Sequence, residues 1–449
     1  MNIIKTLGLS MLMASAQLAI ADETNEHHLE LKINGRYFSD DGHAHASMAI
    51  PDPKKTEYDQ SALGMELNYQ SPYFNNIIGL DASVYAAVNL GDSGNPTVQL
   101  FDVQPNGHLK SHFASLGILA LKAKLGEGNE LRIGRQKVNT MFIKSTFNRA
   151  VPDTFSGASL KLKPLENLDV YAGYYNKWQP RTADKFTSFV TDNNEKIKYV
   201  ALLGAKYKFD RWTVNAEYLH SDNYLSKYGA IVNYALPLTQ SQLNLRSGIL
   251  FSQDAGNLFK CGAEADLDCV TKGQDMDNNG QGYFAEVTWK KNDLELGAAV
   301  TKINGAWIED SYSTQSARDN VLIQDNGTNP FPTAAIVGPD FSNKDELAWM
   351  ARVKYNWQDY VKGLSTEFKH IRGTGAHQSD INSDIEGKEY TNEFTVAYKP
   401  NFMKNLDFRY SYLVYHSSFD HNNSMEKING LLKHDWHQHR VALTYTYQF

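Results

Sequence analysis

Basic residues recur at alternate positions through the last quarter of the chain. Arg352, Lys354, Lys369, Arg409 and Arg440 each occupy the polar phase of a run in which apolar and polar residues alternate. Lys32, Arg36, Lys122, Lys124, Arg132, Lys198, Lys206 and Arg246 do the same earlier in the chain. A period of two belongs to a strand, so each cation lies on the face opposite its strand's apolar residues. Lined along a narrow, partly desolvated passage, such cations offer an anion successive stations of similar strength. Arginine suits a carboxylate because its planar fork grips both oxygens. The competing expectation is an ordinary polar interior in which Glu66, Asp81, Glu367, Glu393 and Asp407 balance the charge.

The elements that must position these residues are strands with unlike faces. The final ten residues set Val441, Leu443, Tyr445, Tyr447 and Phe449 against Arg440, Ala442, Thr444, Thr446 and Gln448, and the chain stops on an aromatic. Eighteen such segments begin near residues 29, 62, 77, 114, 130, 156, 167, 197, 211, 224, 242, 281, 292, 346, 363, 387, 406 and 435. Brief connections such as Gly126-Glu127-Gly128-Asn129 alternate with mostly long, polar ones, as at 91–112, 255–279 and 304–345. Short turns at one end and long loops at the other are the pattern of a transmembrane β-barrel, and an even strand number brings both termini to the short-turn side. No segment past the N-terminus reaches the ~18 uninterrupted apolar residues a spanning helix needs. A membrane span must then be a closed barrel, since hydrocarbon leaves an unpaired backbone without partners. A mean hydropathy of −0.48 together with 25 Tyr, 21 Phe and 7 Trp is consistent with that architecture.

Residues 1–21 read as a cleaved secretory signal: Lys5 is the basic end, an apolar stretch runs from Leu7 to Ile20, and Ala19-Ile20-Ala21 is a small-x-small cleavage site. Residues 22–449 then form a single all-β domain, an antiparallel barrel of about 18 strands. The connection at 139–154 is too short and apolar for a surface loop; Met141, Phe142, Ile143, Phe147, Val151 and Phe155 are expected to fold it inward. It would narrow the passage and carry Lys144 and Arg149 into the constriction, with Glu309 and Asp310 supplying the opposite charge.

Phe147-Asn148-Arg149-Ala150-Val151-Pro152-Asp153-Thr154-Phe155-Ser156-Gly157, following Arg132-Ile133-Gly134-Arg135-Gln136, resembles the constriction-loop region of OprD-type outer-membrane porins. Asn233-Tyr234-Ala235-Leu236-Pro237-Leu238 and Thr301-Lys302-Ile303-Asn304-Gly305 extend the resemblance over nearly the whole chain. It implies an 18-stranded barrel with a narrow eyelet and passive uptake of small carboxylates or amino acids. Carried over residue by residue, it implies Arg149 at the eyelet, Asp310 on the acidic side, and Arg132, Arg352, Lys369, Arg409 and Arg440 on a basic ladder. Ser411 departs from the pattern, standing where a second ladder arginine is expected.

Some relatives of such porins take chitooligosaccharides, so an oligosaccharide channel read by inward Tyr85, Tyr171, Tyr175 and Phe284 is the alternative. A barrel hydrolase is more remote, for there is no nucleophile elbow or spaced triad. The net charge of −7 gives no basis for nucleic-acid binding. Cys261 and Cys269 are expected to close a small loop as a disulfide, and the histidines lack metal-ligand spacing. No cofactor or metal is expected. The partners expected are outer-membrane lipid and lipopolysaccharide, small solutes and the barrel assembly machinery, with the chain a monomer or weak trimer.

Overall fold

The computed structural model describes residues 26–41, 58–94, 98–191, 194–260, 279–308, 310–315, 322–327, 329–336, 339–377, 386–419 and 433–449. Eighteen long strands carry the fold: β1 (His28–Asp40), β2 (Tyr58–Gln70), β3 (Ile78–Asp92), β4 (His112–Lys124), β5 (Glu130–Gln136), β6 (Thr154–Leu165), β7 (Leu168–Gln179), β8 (Val200–Phe209) and β9 (Trp212–Ser221). The second half comprises β10 (Leu225–Leu238), β11 (Ser241–Asp254), β12 (Asn279–Lys291), β13 (Leu294–Asn304), β14 (Leu347–Asn356), β15 (Leu364–His377), β16 (Glu386–Tyr398), β17 (Leu406–Phe419) and β18 (Lys433–Gln448). All eighteen start within four residues of the positions read from the sequence. No helix occurs among the described residues.

Each strand pairs antiparallel with its chain neighbours, and β18 pairs with β1, Ile33 opposite Tyr445, so the ring is closed. Closure removes every sheet edge, which a lipid environment requires. Alternation decides which face is which. On β2, Ala62 and Glu66 are buried inside while Leu63, Met65 and Leu67 are exposed outside. Leu121, Ile133 and Leu203 are all more than half exposed on the outer surface, at 58%, 55% and 57%. A continuous band of such residues is stable only where lipid replaces water.

Two-residue turns close the short end at Asp210-Arg211 and Asn292-Asp293, where Asp210 and Asn292 take φ of 47° and 49°. Asp and Asn tolerate that left-handed conformation, and it matches the twist of the flanking strands. At the other end the described parts of the longer connections turn into the ring and pack inside it. One inner cluster gathers Phe142, Ile143, Phe155, Trp178, Phe284 and Phe331; another gathers Phe38, Tyr85, Leu100, Phe101 and Val151. Phe189–Val190, Lys196–Ile197, Asp310–Gln315 and Leu322–Gly327 form a small separate sheet that joins two of these connections.

Candidate functional site: a constricted lumen with an arginine cluster

The connection between β5 and β6 is fastened to the inner wall as its apolar sequence predicts. Phe142, Ile143, Ala150 and Val151 are fully buried. Glu217 on β9 accepts hydrogen bonds from the backbone N–H of Met141 (2.8 Å) and Phe142 (3.1 Å), from the Thr140 hydroxyl (3.0 Å) and from the Tyr171 hydroxyl (2.7 Å). Lys137 pairs with Glu66 at 2.8 Å, and Asp153 accepts from the Thr146 N–H at 2.6 Å. On the β2 side the loop backbone lies so near the wall that any side chain at Gly64 would collide with the Ala150 carbonyl.

This loop completes a cluster built on three adjacent strands. In the closing register Arg409 on β17 and Arg36 on β1 both lie opposite Ala442 of β18. One row further, Arg440 lies opposite both Ser411 and Phe38. Successive inward residues are about 6.8 Å apart along a strand, so the three arginines fall in two neighbouring rows. Arg440 stacks on Phe38 with its guanidinium carbon 3.7 Å from the ring centre, and Arg149 lies over the same ring at 5.1 Å. Arg36 donates to the loop carbonyls of Arg149 (3.0 Å) and Phe147 (3.1 Å), which sets the loop's arginine beside the wall. Burial, reinforced by the charges of Arg181, Arg440 and Arg36, pushes the Arg149 pKa well below its ordinary value.

Away from this cluster, acids of the lumen are paired with cations. Asp81 takes Lys122 (2.7 Å) and Arg132 (2.9 Å); Glu130 takes Arg132 (2.5 Å) and the Tyr73 hydroxyl. Arg352 is clasped by Glu295 (2.8 Å) and Glu367 (3.4 Å), and Lys369 by Glu393 (2.9 Å). Asp407 pairs with Lys399 at 3.0 Å. Arg132, Arg352 and Lys369 therefore follow the charge-balance expectation. Arg409 is exposed to the lumen and has no hydrogen bond or ion pair among the described residues; the same holds for the side chains of Lys354 and Lys144. Buried Nε of Arg149 and buried Nε and Nη1 of Arg440 have no hydrogen-bond partner.

Ser411, where a further arginine was expected, bonds Thr395 at 2.9 Å. Lys198 precedes β8, with its side chain 80% exposed and 3.7 Å from Asp222. Glu309, Cys261 and Cys269 lie outside the described residues, and Asp310 opens the small strand Asp310–Gln315. Among the described residues, the four inward aromatics expected on a sugar path do not form one. Tyr85, Tyr175 and Phe284 are buried in the packing of the loops on the wall, and the Tyr171 hydroxyl is tied to Glu217. Sequence reasoning missed Glu217 as the loop's anchor; its one signal was an acid at an inward position flanked on both sides by outward apolar residues.

A closed 18-stranded barrel with a lipid-facing exterior and a constricted polar lumen defines a channel of the bacterial outer membrane. The family model described as "outer membrane porin, OprD family" matches residues 24–449, and the chain belongs to that family. Among solved structures it is similar to Pseudomonas aeruginosa OpdK crystallised with vanillate, at 17% identity and a TM-score of 0.75, covering 94% of this chain and 99% of that one. It is similar to Acinetobacter baumannii OccAB1, at 18% identity and a TM-score of 0.75, over 96% and 99% of the two chains. Pseudomonas aeruginosa OprE superposes with a TM-score of 0.73 at 18% identity, over 94% and 98%. No curated protein sequence matches the chain.

Proposed function

We propose that this porin gives passive, substrate-preferring uptake of small carboxylate-bearing solutes, organic acids or amino acids, guided by its lumenal arginines. The observation that carries the reading is the set of buried guanidinium donors on Arg149 and Arg440 with no protein partner. A buried donor left unpaired costs about 1–3 kcal/mol, more when charged, a cost that an acceptor arriving from outside would relieve. A carboxylate presents two oxygens in the geometry of the guanidinium fork and carries the opposite charge. Arg409, free in the same wall, offers a neighbouring station of lower affinity, which transit requires. Along the remaining wall Arg132, Arg352 and Lys369 are balanced by acids, and Lys354 adds a positive charge unpaired among the described residues. The vanillate in the OpdK crystals is the anion of an organic acid and supports the same reading.

Single-channel conductance in a planar bilayer tests the proposal. Small organic acids added to one side are expected to block the open current at concentrations where neutral sugars of equal size do not. Equal block by both would overturn it.

A further inference from the structure

The lipid-facing surface of β14–β17 changes character toward the long-connection end, the outer-leaflet side of the membrane. Nearer the short turns one outward row, Val353, Phe368, Phe394 and Tyr412, is apolar and aromatic. The next row holds Ala351, His370, Asn392 and Val414, and the one beyond it Trp349, Arg372, Tyr390 and His416. Tyr390 stands eight residues from Tyr398 at the short-turn end of β16, about 27 Å along the strand and about 21 Å above it at a tilt of roughly 40°. The apolar band of such a barrel is about 25 Å tall, so this last row lies at its upper margin, where the outer-leaflet headgroups begin.

Arg372 is exposed on that surface and has no hydrogen bond or ion pair among the described residues. The one acid in the outward phase of β14–β16 among them is Glu386, at the outer end of β16 beyond Lys388. Asp435 of β18 lies opposite His416, three strands from Arg372. A cation on the lipid face is tolerated near the interface, where its long side chain reaches polar groups. The rings around it form a continuous series: Trp349 to His370 at 5.2 Å between centroids, His370 to Tyr390 at 6.2 Å, and Tyr390 to His416 at 4.7 Å. His370 is fixed through Nδ1 on the Asn392 Oδ1 at 2.9 Å, which leaves Nε2 for an outside group. Trp349 and Tyr390 keep 44% and 38% of their surface exposed.

We infer that Arg372 and His370, set between the Trp349 and Tyr390 rings, bind the phosphorylated sugar headgroup of an outer-leaflet glycolipid, the lipid A end of lipopolysaccharide. The guanidinium fork matches two oxygens of a phosphate and carries the opposite charge. His370 Nε2 meets a further polar group of the same headgroup. The two large rings offer flat apolar faces to the sugar and the first acyl carbons, the position that amphipathic aromatics take at a membrane interface. A phospholipid brings the phosphate without a sugar ring to cover the aromatic faces, so the glycolipid is the better fit. The site faces away from the lumen and does not depend on the carboxylate reading.

The full-length barrel, purified in detergent and freed of lipid, is titrated with lipid A and read by native mass spectrometry, with heat-modifiable migration confirming that each variant is folded. Arg372→Gln is expected to weaken lipid A binding about tenfold, roughly 1.4 kcal/mol. Lipid A stripped of its phosphates is expected to bind wild type as weakly as lipid A binds the variant, and phosphatidylglycerol to bind both chains alike. Lys362→Gln removes an exposed cation from the turn after β14, at the opposite end of the barrel, and is expected to leave lipid A binding unchanged. Unaltered lipid A binding in Arg372→Gln would overturn the site. An equal loss for phosphatidylglycerol, for phosphate-free lipid A or in Lys362→Gln would reduce Arg372 to bulk charge and overturn it as well. Block of the channel by small organic acids is expected to be the same in Arg372→Gln as in wild type; a changed block would place Arg372 on the solute path and overturn the assignment.

Discussion

Replacing Arg409 by Gln isolates the arginine reading most cleanly. Arg409 faces the lumen, is exposed, and makes no hydrogen bond or ion pair among the described residues, so the substitution removes a charge without breaking a fold contact. A hydrogen bond to a charged group contributes roughly 1.5–3 kcal/mol where water is excluded and less where it is not. Two unit charges about 4 Å apart interact by roughly 1 kcal/mol in bulk water and 4 kcal/mol near a partly shielded surface. An exposed lumenal arginine lies toward the first figure, and Arg36 across Ala442 compensates for part of the loss. About 1 kcal/mol, a fivefold weaker block by a small organic acid, is the expected result. The assay is current block in a planar bilayer at fixed salt, with a neutral sugar of equal size as reference, because salt screens the effect. An unchanged acid affinity, or an equal change for the sugar, would refute the reasoning. Arg440→Gln is the weaker test: its stacking on Phe38 and its bond to Tyr58 make any loss partly structural.

Glu217→Ala leaves the buried Met141 and Phe142 N–H groups without an acceptor, and the loop is expected to loosen, seen as larger and noisier open-channel current; an unaltered trace would refute that anchoring. Glu346, just before β14, has its pKa raised by burial, and its carboxyl shares a hydrogen bond with that of Glu389. A carboxyl that holds its proton more tightly when folded contributes fully below its unfolded pKa, and the contribution is lost as pH rises through the raised folded value. Current noise from the stretch just before β14 is therefore expected to grow as pH rises through that raised folded value and to be flat in Glu346→Gln; a pH-independent wild type would refute this. Deleting Phe449, whose N–H bonds the Leu29 carbonyl at 3.0 Å across the closing seam, is expected to reduce the heat-modifiable barrel recovered in outer membranes. Full recovery of the truncated chain there would count against it.

The strands were legible because a barrel repeats one rule: residues alternate between lipid and lumen, and each hairpin restates the phase. That phase alone put Arg36, Arg352, Lys369, Arg409 and Arg440 inside, as the burial of their strands shows. The grouping of these cations was not legible, and the reason is register. Within a tight hairpin such as Phe209 opposite Trp212, turn chemistry fixes which residues face each other. The seam between β18 and β1 has no turn, since it joins the two ends of the chain, and its register follows only from how the whole ring closes. A slip of two residues at that seam would preserve every inward and outward assignment, yet it would part Arg440 from Phe38 and Arg36 from its place beside Ala442. The sequence carried the sign of each rung and the side it faced. The distance between rungs, which separates an arginine cluster with unpaired donors from a row of neutralised ion pairs, belongs to the closed barrel alone.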